Sequence, residues 1–473
     1  MKFSKETHRC LGCHQNVTPG IVHDWETSLH SQTTPSQAFL KTELERRISA
    51  KSVQDELSKI AVGCYECHSQ NQDKHPDSFT HFGIKINVVV SPNDCAVCHP
   101  VEAKEYSSSK KAFAFSNLEK NPVYKALVDT VIGLKEVNKG AVAGGSKPSD
   151  HTRSETCYGC HGTEVKVIRE KGIFKEKFNV TVPDLSNWPN QGVGRINPDG
   201  SRGSCSSCHP RHSFSLQTAR KPDTCAQCHL EPDVPAWNVY KESKHANIYS
   251  SHEKSWNFKN VPWVLGEDFT SPTCSACHSS LVTDSRGNVV VTRTHDFGAR
   301  LWVRIFGLVY SHAQPRSGET HIIRNKDGLP LPTNFGGEPA ESFLIDQKEQ
   351  TRRIANLSSL CISCHSTSWT EKHFDKLNST IVETDRMVKS ATLLLVNAWE
   401  ENLADKTNPF DEVIESRWIT QWLFYGNSIR YASAMSGAPD YATFKNGWWN
   451  MTTNLKEMEE WIKVHRLLKN KVR

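Results

Sequence analysis

A five-residue unit, Cys-x-x-Cys-His, occurs eight times in the chain: Cys10 to His14, Cys64 to His68, Cys95 to His99, Cys157 to His161, Cys205 to His209, Cys225 to His229, Cys274 to His278 and Cys361 to His365. Together the eight units use all 16 cysteines. Two thiols at this spacing can add to the two vinyl groups of one porphyrin, and the residue that follows presents an imidazole to the metal. Zinc or disulfides would account for the cysteine pairs but not for a histidine directly after each of them. The cofactor-binding cysteines are therefore Cys10 and Cys13, Cys64 and Cys67, Cys95 and Cys98, Cys157 and Cys160, Cys205 and Cys208, Cys225 and Cys228, Cys274 and Cys277, and Cys361 and Cys364. The proximal iron ligands are His14, His68, His99, His161, His209, His229, His278 and His365, and the expected cofactors are eight covalently attached c-type haems.

Removing the eight proximal histidines from 22 leaves fourteen, against five methionines, so a second histidine is the expected closing ligand. The distal candidates are His30, His81, His151, His212, His245, His295 and His373, seven for eight irons. One iron is left open, able to bind substrate while the others only pass electrons. His8, His23, His75, His252, His312, His321 and His465 are assigned to the solvated surface.

Two of the candidates share a local pattern, Trp25-x-x-Ser28-x-His30 and Tyr240-x-x-Ser243-x-His245. Each lies sixteen residues after a proximal histidine and reads as a helix that turns a histidine toward iron. A third copy, Tyr106-x-x-Ser109-x-Lys111, ends in lysine. Lys111 is then an amine ligand, or the mark of a helix that passes an iron without closing it, or part of a solvated basic face, the ordinary place for a lysine.

The elements that position these groups follow from the bulk numbers. With 473 residues for eight haems there are about 59 residues per cofactor, too few for side chains alone to build a core around each. Only 37% of residues are hydrophobic and the mean hydropathy is −0.55, so porphyrin faces must supply the missing apolar surface and the chain without haem is expected to be largely unfolded. The fold class is mainly α, an octahaem cytochrome with little β structure and a C-terminal helical domain. Two parts are expected: 1-375, carrying all eight motifs, and 376-473, a long-helix domain for trimerisation. Helices are predicted over Ile381 to Leu403, Phe410 to Ser433 and Trp448 to Leu468, and one hairpin around Val289 to Val291 after Arg286-Gly287-Asn288.

The formal charge of +5 falls to about −3 when each ferric haem adds roughly −1, which gives no support to nucleic-acid binding. No apolar run is long enough to span a membrane. Haem attachment to this motif takes place outside the energy-conserving membrane, so a periplasmic or otherwise exported location is expected, with a leader absent from this numbering because Met1 to Glu6 has no apolar stretch.

From Cys205 to His295 the sequence resembles hydroxylamine oxidoreductase. The likeness is carried by Cys205-Ser206-Ser207-Cys208-His209-Pro210-Arg211-His212-Ser213-Phe214, by Arg220-Lys221-Pro222, by Ser243-Lys244-His245 and by Pro272-Thr273-Cys274-Ser275-Ala276-Cys277-His278. The resemblance implies a mainly α-helical homotrimer whose fourth haem, here on Cys157, Cys160 and His161, is catalytic. It also implies a tail tyrosine, bonded covalently to that haem in the hydroxylamine-oxidising members, and an Asp-His pair after the sixth motif that handles protons. This sequence has Phe444 at the tyrosine position, and Asp233 followed by Val234 at the pair. Phenylalanine cannot make the link, although Tyr441 lies three residues earlier. The implied function is redox catalysis on small nitrogen compounds in the reductive direction, nitrite or hydroxylamine reduction, with His161 and Asp233 as catalytic residues. The implied partners are a small nitrogen-containing substrate and an electron-donor or acceptor cytochrome or quinol-linked protein. The competing readings are a non-catalytic electron conduit, which Val234 favours, and hydroxylamine or hydrazine oxidation, which Phe444 opposes.

Overall fold

One turn of helix brings residues i, i+3 and i+4 to the same face, so a short helical turn is enough to aim both cysteines and the histidine of a motif at one cofactor. The computed structural model, which describes residues 2–143, 145–173 and 180–472, builds several motifs in this way. Cys64–His68, Cys157–His161 and Cys274–His278 are isolated five-residue helices. The first motif lies inside a longer helix, α1 (Lys5–Val17), and the last begins at the end of α2 (Gln347–Ile362). Between motifs the chain is short helices and loops. The structure is 48% helix and 9% strand, mainly α as expected.

The tail is where side chains alone form a core. Helix α3 (Thr367–Glu400) packs against α4 (Val413–Ile419), a wide π turn over Thr420–Tyr425, α5 (Gly426–Ala434) and α6 (Trp448–Val472). Val388, Leu395, Ile414, Trp418, Trp422, Ile429, Met451 and Met458 are buried together there. The helix predicted from Ile381 starts fourteen residues earlier, at Thr367, where Ser366 caps it through the Trp369 N–H. The expected division at 375/376 therefore falls inside α3. The motif-bearing part and the tail share one uninterrupted helix.

The β structure is a set of small antiparallel ribbons. The expected hairpin at Val289–Val291 pairs with Val282–Thr283, which also pairs in parallel with Trp263–Val264. Among the described residues, four further antiparallel pairings, two of them with strands longer than three residues, have no counterpart in the sequence reading. Ser78–His81 pairs with Ile84–Asn87, and Val167–Ile173 with Val180–Leu185. The first turns on Phe82 and Gly83, both at positive φ, where glycine is the residue without steric cost.

Among the described residues, no helix is long and apolar enough to cross a membrane.

Candidate haem-binding site

Side chains of motifs two to eight line one connected cavity of about 1880 Å³. Cys95, Cys98, Cys205, Cys208, Cys225 and Cys228 are among the thiols that line it. All 16 cysteines are free, and among the described residues no group of three or more His, Cys, Asp or Glu side chains converges as a metal-ion site would require.

Three observations test whether haem fits. First, several proximal histidines have one ring nitrogen already engaged: Nδ1 of His68 donates to Asn87 O at 2.8 Å, His278 to Phe297 O at 3.2 Å and His161 to Ala114 O at 3.4 Å. Carbonyl acceptance at Nδ1 leaves Nε2 as the free electron pair for a metal. Second, His14 and His81 have ring centroids 6.2 Å apart, His99 and His30 6.3 Å, and His365 and His245 6.2 Å. Two imidazoles on opposite sides of one iron, with metal–nitrogen bonds of about 2 Å, place their centroids about 6 Å apart. Third, the wall of the cavity that motifs two to eight share is mostly apolar, as the face of a porphyrin requires. The residues fit haem.

The remaining distal candidates divide. His212 is electrostatically adjacent to His68, and His295 to His209. His151 is exposed at the start of the short helix Asp150–Glu155, and no described contact sets it opposite a proximal imidazole. His373 stacks on Trp369, which stacks in turn on His365, and its Nδ1 pairs with Ser436 Oγ at 2.8 Å. It lines the cavity, again without a described imidazole opposite.

The repeated aromatic-x-x-Ser pattern has a structural basis. Trp25 Nε1 donates to Val62 O, Tyr106 OH to Val193 O and Tyr240 OH to Pro272 O, so each aromatic residue anchors its segment in the protein. Ser28, Ser109 and Ser243 are almost completely buried, and each hydroxyl accepts the backbone N–H three residues on, starting a new turn. The second residue of that turn is the one aimed inward: His30, Lys111 or His245. Lys111 is accordingly not on a solvated face. Its Nζ lies 3.5 Å from Nε2 of His229 and 5.0 Å from the Phe297 ring centroid.

His161 has no such partner among the described residues. The charged groups acting on it are Asp233, Arg304 and Lys111. Burial raises the Asp233 carboxyl above the usual aspartate range, against the opposing pull of its own and the Val234 backbone N–H. Asp233 does not cap the helix Ala236–Lys241, whose cap position is Pro235 with no side-chain bond. Its backbone carbonyl accepts from Asn427 Nδ2 at 3.0 Å, which ties the segment to α5. Phe444 is 62% exposed, whereas Tyr441 is buried and its hydroxyl donates to Glu231.

Two histidines assigned to the surface are buried instead. His75 is clamped between Asp77 at 3.0 Å and Asp94 at 3.2 Å, and His312 is enclosed with Nδ1 on Ala313 O at 2.7 Å.

The motifs also touch one another. Cysteines of different motifs lie side by side, Cys10 with Cys64, Cys95 with Cys205, Cys160 with Cys228 and Cys225 with Cys274. Electrostatic neighbours extend the series through Cys67 with Cys98, Cys208 with Cys225, and Cys277 with Cys361.

Comparison with known proteins agrees with this picture. A family model described as "Seven times multi-haem cytochrome CxxCH" matches residues 197–299, and one described as "Cytochrome c554 and c-prime" matches residues 8–85 and 94–182. A solved structure titled "Hypothetical multiheme protein" is 40% identical, with a TM-score of 0.92 over 99% of this chain and 97% of that one. A "Probable nitrite reductase-hydroxylamine oxidoreductase fusion protein" of Kuenenia stuttgartiensis is 25% identical over 83% of this chain, which spans only 38% of that relative's length. The fold is shared with a Kuenenia stuttgartiensis "reducing HAO-like protein complex", at 17% identity and a TM-score of 0.63 over 98% of this chain and 86% of that one.

Proposed function

Starting from the hydroxylamine oxidoreductase-like multihaem c-type cytochromes, the family to which this chain belongs, we propose that it reduces small nitrogen compounds, nitrite or hydroxylamine, at an open iron on the fourth motif. The observation that carries the reading is at His161. Where five other proximal imidazoles have a second histidine as neighbour, the charged neighbours of this one are Asp233, Arg304 and Lys111. A charged, hydrogen-bonding pocket in place of a closing ligand is what binding and protonating a small oxyanion requires.

In this reading eight haems are attached. His81, His212, His30, His295 and His245 close the irons of motifs one, two, three, five and eight, and Lys111 closes motif six, while among the described residues no second histidine faces His278 of motif seven. When bound, the haems supply electron transfer and, at motif four, a metal centre for substrate. The protein's own contributions are distinct. Arg304 draws an anion into the pocket, Asp233 holds a proton near it, and Asn427 fixes the segment that carries Asp233. The thiol contacts link every motif to a neighbour, so electrons from an electron-donor cytochrome or quinol-linked partner can reach motif four through motif six. A periplasmic or otherwise exported location follows from where such haems are attached. The tail is proposed to assemble a homotrimer.

The reductive direction is supported by Phe444, which has no phenol to bond to a haem. The alternative of a conduit with every iron closed draws on Val234, which leaves no histidine beside Asp233. Titrating the reduced protein with cyanide or nitrite while following its haem spectrum separates the two. At least one haem, that of motif four, should respond; no response at all leaves the conduit.

A further inference from the structure

The pocket beside motif four lacks the histidine that the family places after Asp233, yet reduction of an N–O bond consumes protons as well as electrons. Each oxygen released from nitrite or hydroxylamine leaves as water and takes two protons with it. A buried donor is therefore needed, and one lies on the tail.

Helix α5 is fastened to both walls of the pocket. Asn427 Nδ2 donates to Asp233 O at 3.0 Å, and Arg430 Nη1 donates to Ile305 O at 3.2 Å, next to Arg304. Arg430 is itself fully buried and paired with Asp385 and with Thr384 Oγ1 on α3, so the helix cannot rotate without breaking these bonds. Tyr431 is one turn on from Asn427 and adjacent to Arg430, on the face that these bonds hold between the two walls. Its ring lines the cavity, as do Arg304 and Phe306. Among the described residues the Tyr431 hydroxyl has no hydrogen-bond partner, and neither do the two terminal amines of Arg304, whose Nε alone is used, on Phe306 O at 2.6 Å. Arg304 and Asp233 are the charged groups that act on the phenol. Tyr431 is half-buried and lines the cavity, so its unpartnered hydroxyl is free to donate to a group bound there.

We propose that Tyr431 is the proton donor of the motif-four pocket, delivering the proton of its hydroxyl to the departing oxygen of the bound nitrogen compound. This rests on the reductive reading given above and extends it to a residue outside the motifs. In the step, the phenol O–H bond breaks and the proton goes to the oxygen of the N–O bond. That bond is cleaved by electrons that reach the pocket from an electron-donor cytochrome through the other motifs. Arg304 stabilises the phenolate, and the Asp233 carboxyl, re-protonated from solvent, returns the proton. Burial holds the Tyr431 phenol up at about 12, so at neutral pH it carries the proton it is to give.

The test uses the holo protein and Tyr431→Phe, which removes a hydroxyl that no protein group uses and so costs no internal hydrogen bond. Carbon monoxide is bound to the reduced protein and its C–O stretch is read by infrared spectroscopy. A phenol pointing at the bound oxygen lowers this frequency, and the variant should raise it. In parallel, dye-coupled hydroxylamine reduction should fall by about 10²-fold or more with KM unchanged, as loss of a general acid requires. If either the stretch or the rate matches that of the unsubstituted protein, Tyr431 is not the donor, while the function proposed above stands. If the unsubstituted protein forms no carbon monoxide complex, motif four is not open, and both readings fall.

Discussion

Replacing Lys111 by alanine should turn one closed iron into an open one. The amine of Lys111 is 3.5 Å from Nε2 of His229, and no other described side chain takes up that position. The stem is half-buried, so losing three methylenes beyond Cβ, at about 0.8 kcal/mol for each one fully buried, costs about 1–2 kcal/mol. A multihaem fold tolerates a loss of that size, because the Tyr106 and Ser109 bonds that build the turn do not depend on residue 111. The assay is electron paramagnetic resonance of the oxidised protein, together with the stoichiometry of cyanide binding to the reduced protein. The expected result is a new high-spin signal and one responsive haem more than in the parent. His30→Ala serves as the reference for an iron opened by removing a histidine. An unchanged low-spin spectrum and unchanged stoichiometry in Lys111→Ala would refute the assignment of the lysine as a closing ligand, and would return Lys111 to a purely electrostatic part beside His161 and His229.

Two other substitutions probe different parts of the molecule. Asp233→Asn should lower the reductive rate by about 10² to 10⁴ if the carboxyl relays protons. Because burial raises its pKa, the rate carried by protonated Asp233 should be greatest at low pH and decline as pH rises through that raised value, a limb that a pH profile of the asparagine variant should lack. At His75, between Asp77 and Asp94, the imidazole is raised from 6.5 to about 10, so its stabilising contribution is complete below pH 6.5 and disappears as pH rises through about 10. His75→Gln leaves two buried carboxylates without their cation and should cost about 3–5 kcal/mol at neutral pH. Thermal unfolding at pH 6 and pH 10 should show a smaller gap between variant and parent at the higher value; a constant gap would refute the imidazolium clamp.

What could be read from residue order depended on how local the cause was. His30 and His245 were visible because an aromatic anchor, a capping serine and a ligand lie within six residues, and the same spacing made Lys111 notable before its surroundings were known. A solvated face is the ordinary place for a lysine, but the serine-capped turn that aims Lys111 inward is the more specific information in the sequence. His81 comes opposite His14 from a β-hairpin, a route that the capping pattern does not describe. His75 and His312 were placed on the surface because nothing within a few residues announces burial. The clamp on His75 needs Asp94, nineteen residues away, and His312 is enclosed by segments brought together only in the folded chain. Arg304 and Tyr431 carried no sequence signal at all: the pocket that makes them useful is assembled from positions more than a hundred residues apart. The tail helices were found by periodicity, but the start of α3 was missed because its first turns lie over the haem cavity, where Trp369 and His373 replace the usual aliphatic stripe.

The order of thiol contacts differs from the order of motifs along the chain. Motif four touches motif six, which touches motif seven, while the remaining contacts run through motifs one, two, three and five to six. The proposed reaction centre is thus a side branch off a junction, not a terminus of a line. Charge can be held on both arms at once and discharged into the branch in quick succession, as a reservoir feeds a single outlet. A substrate that needs several electrons would then meet a loaded store and not a one-at-a-time supply, and partly reduced nitrogen species would have little time to escape between deliveries.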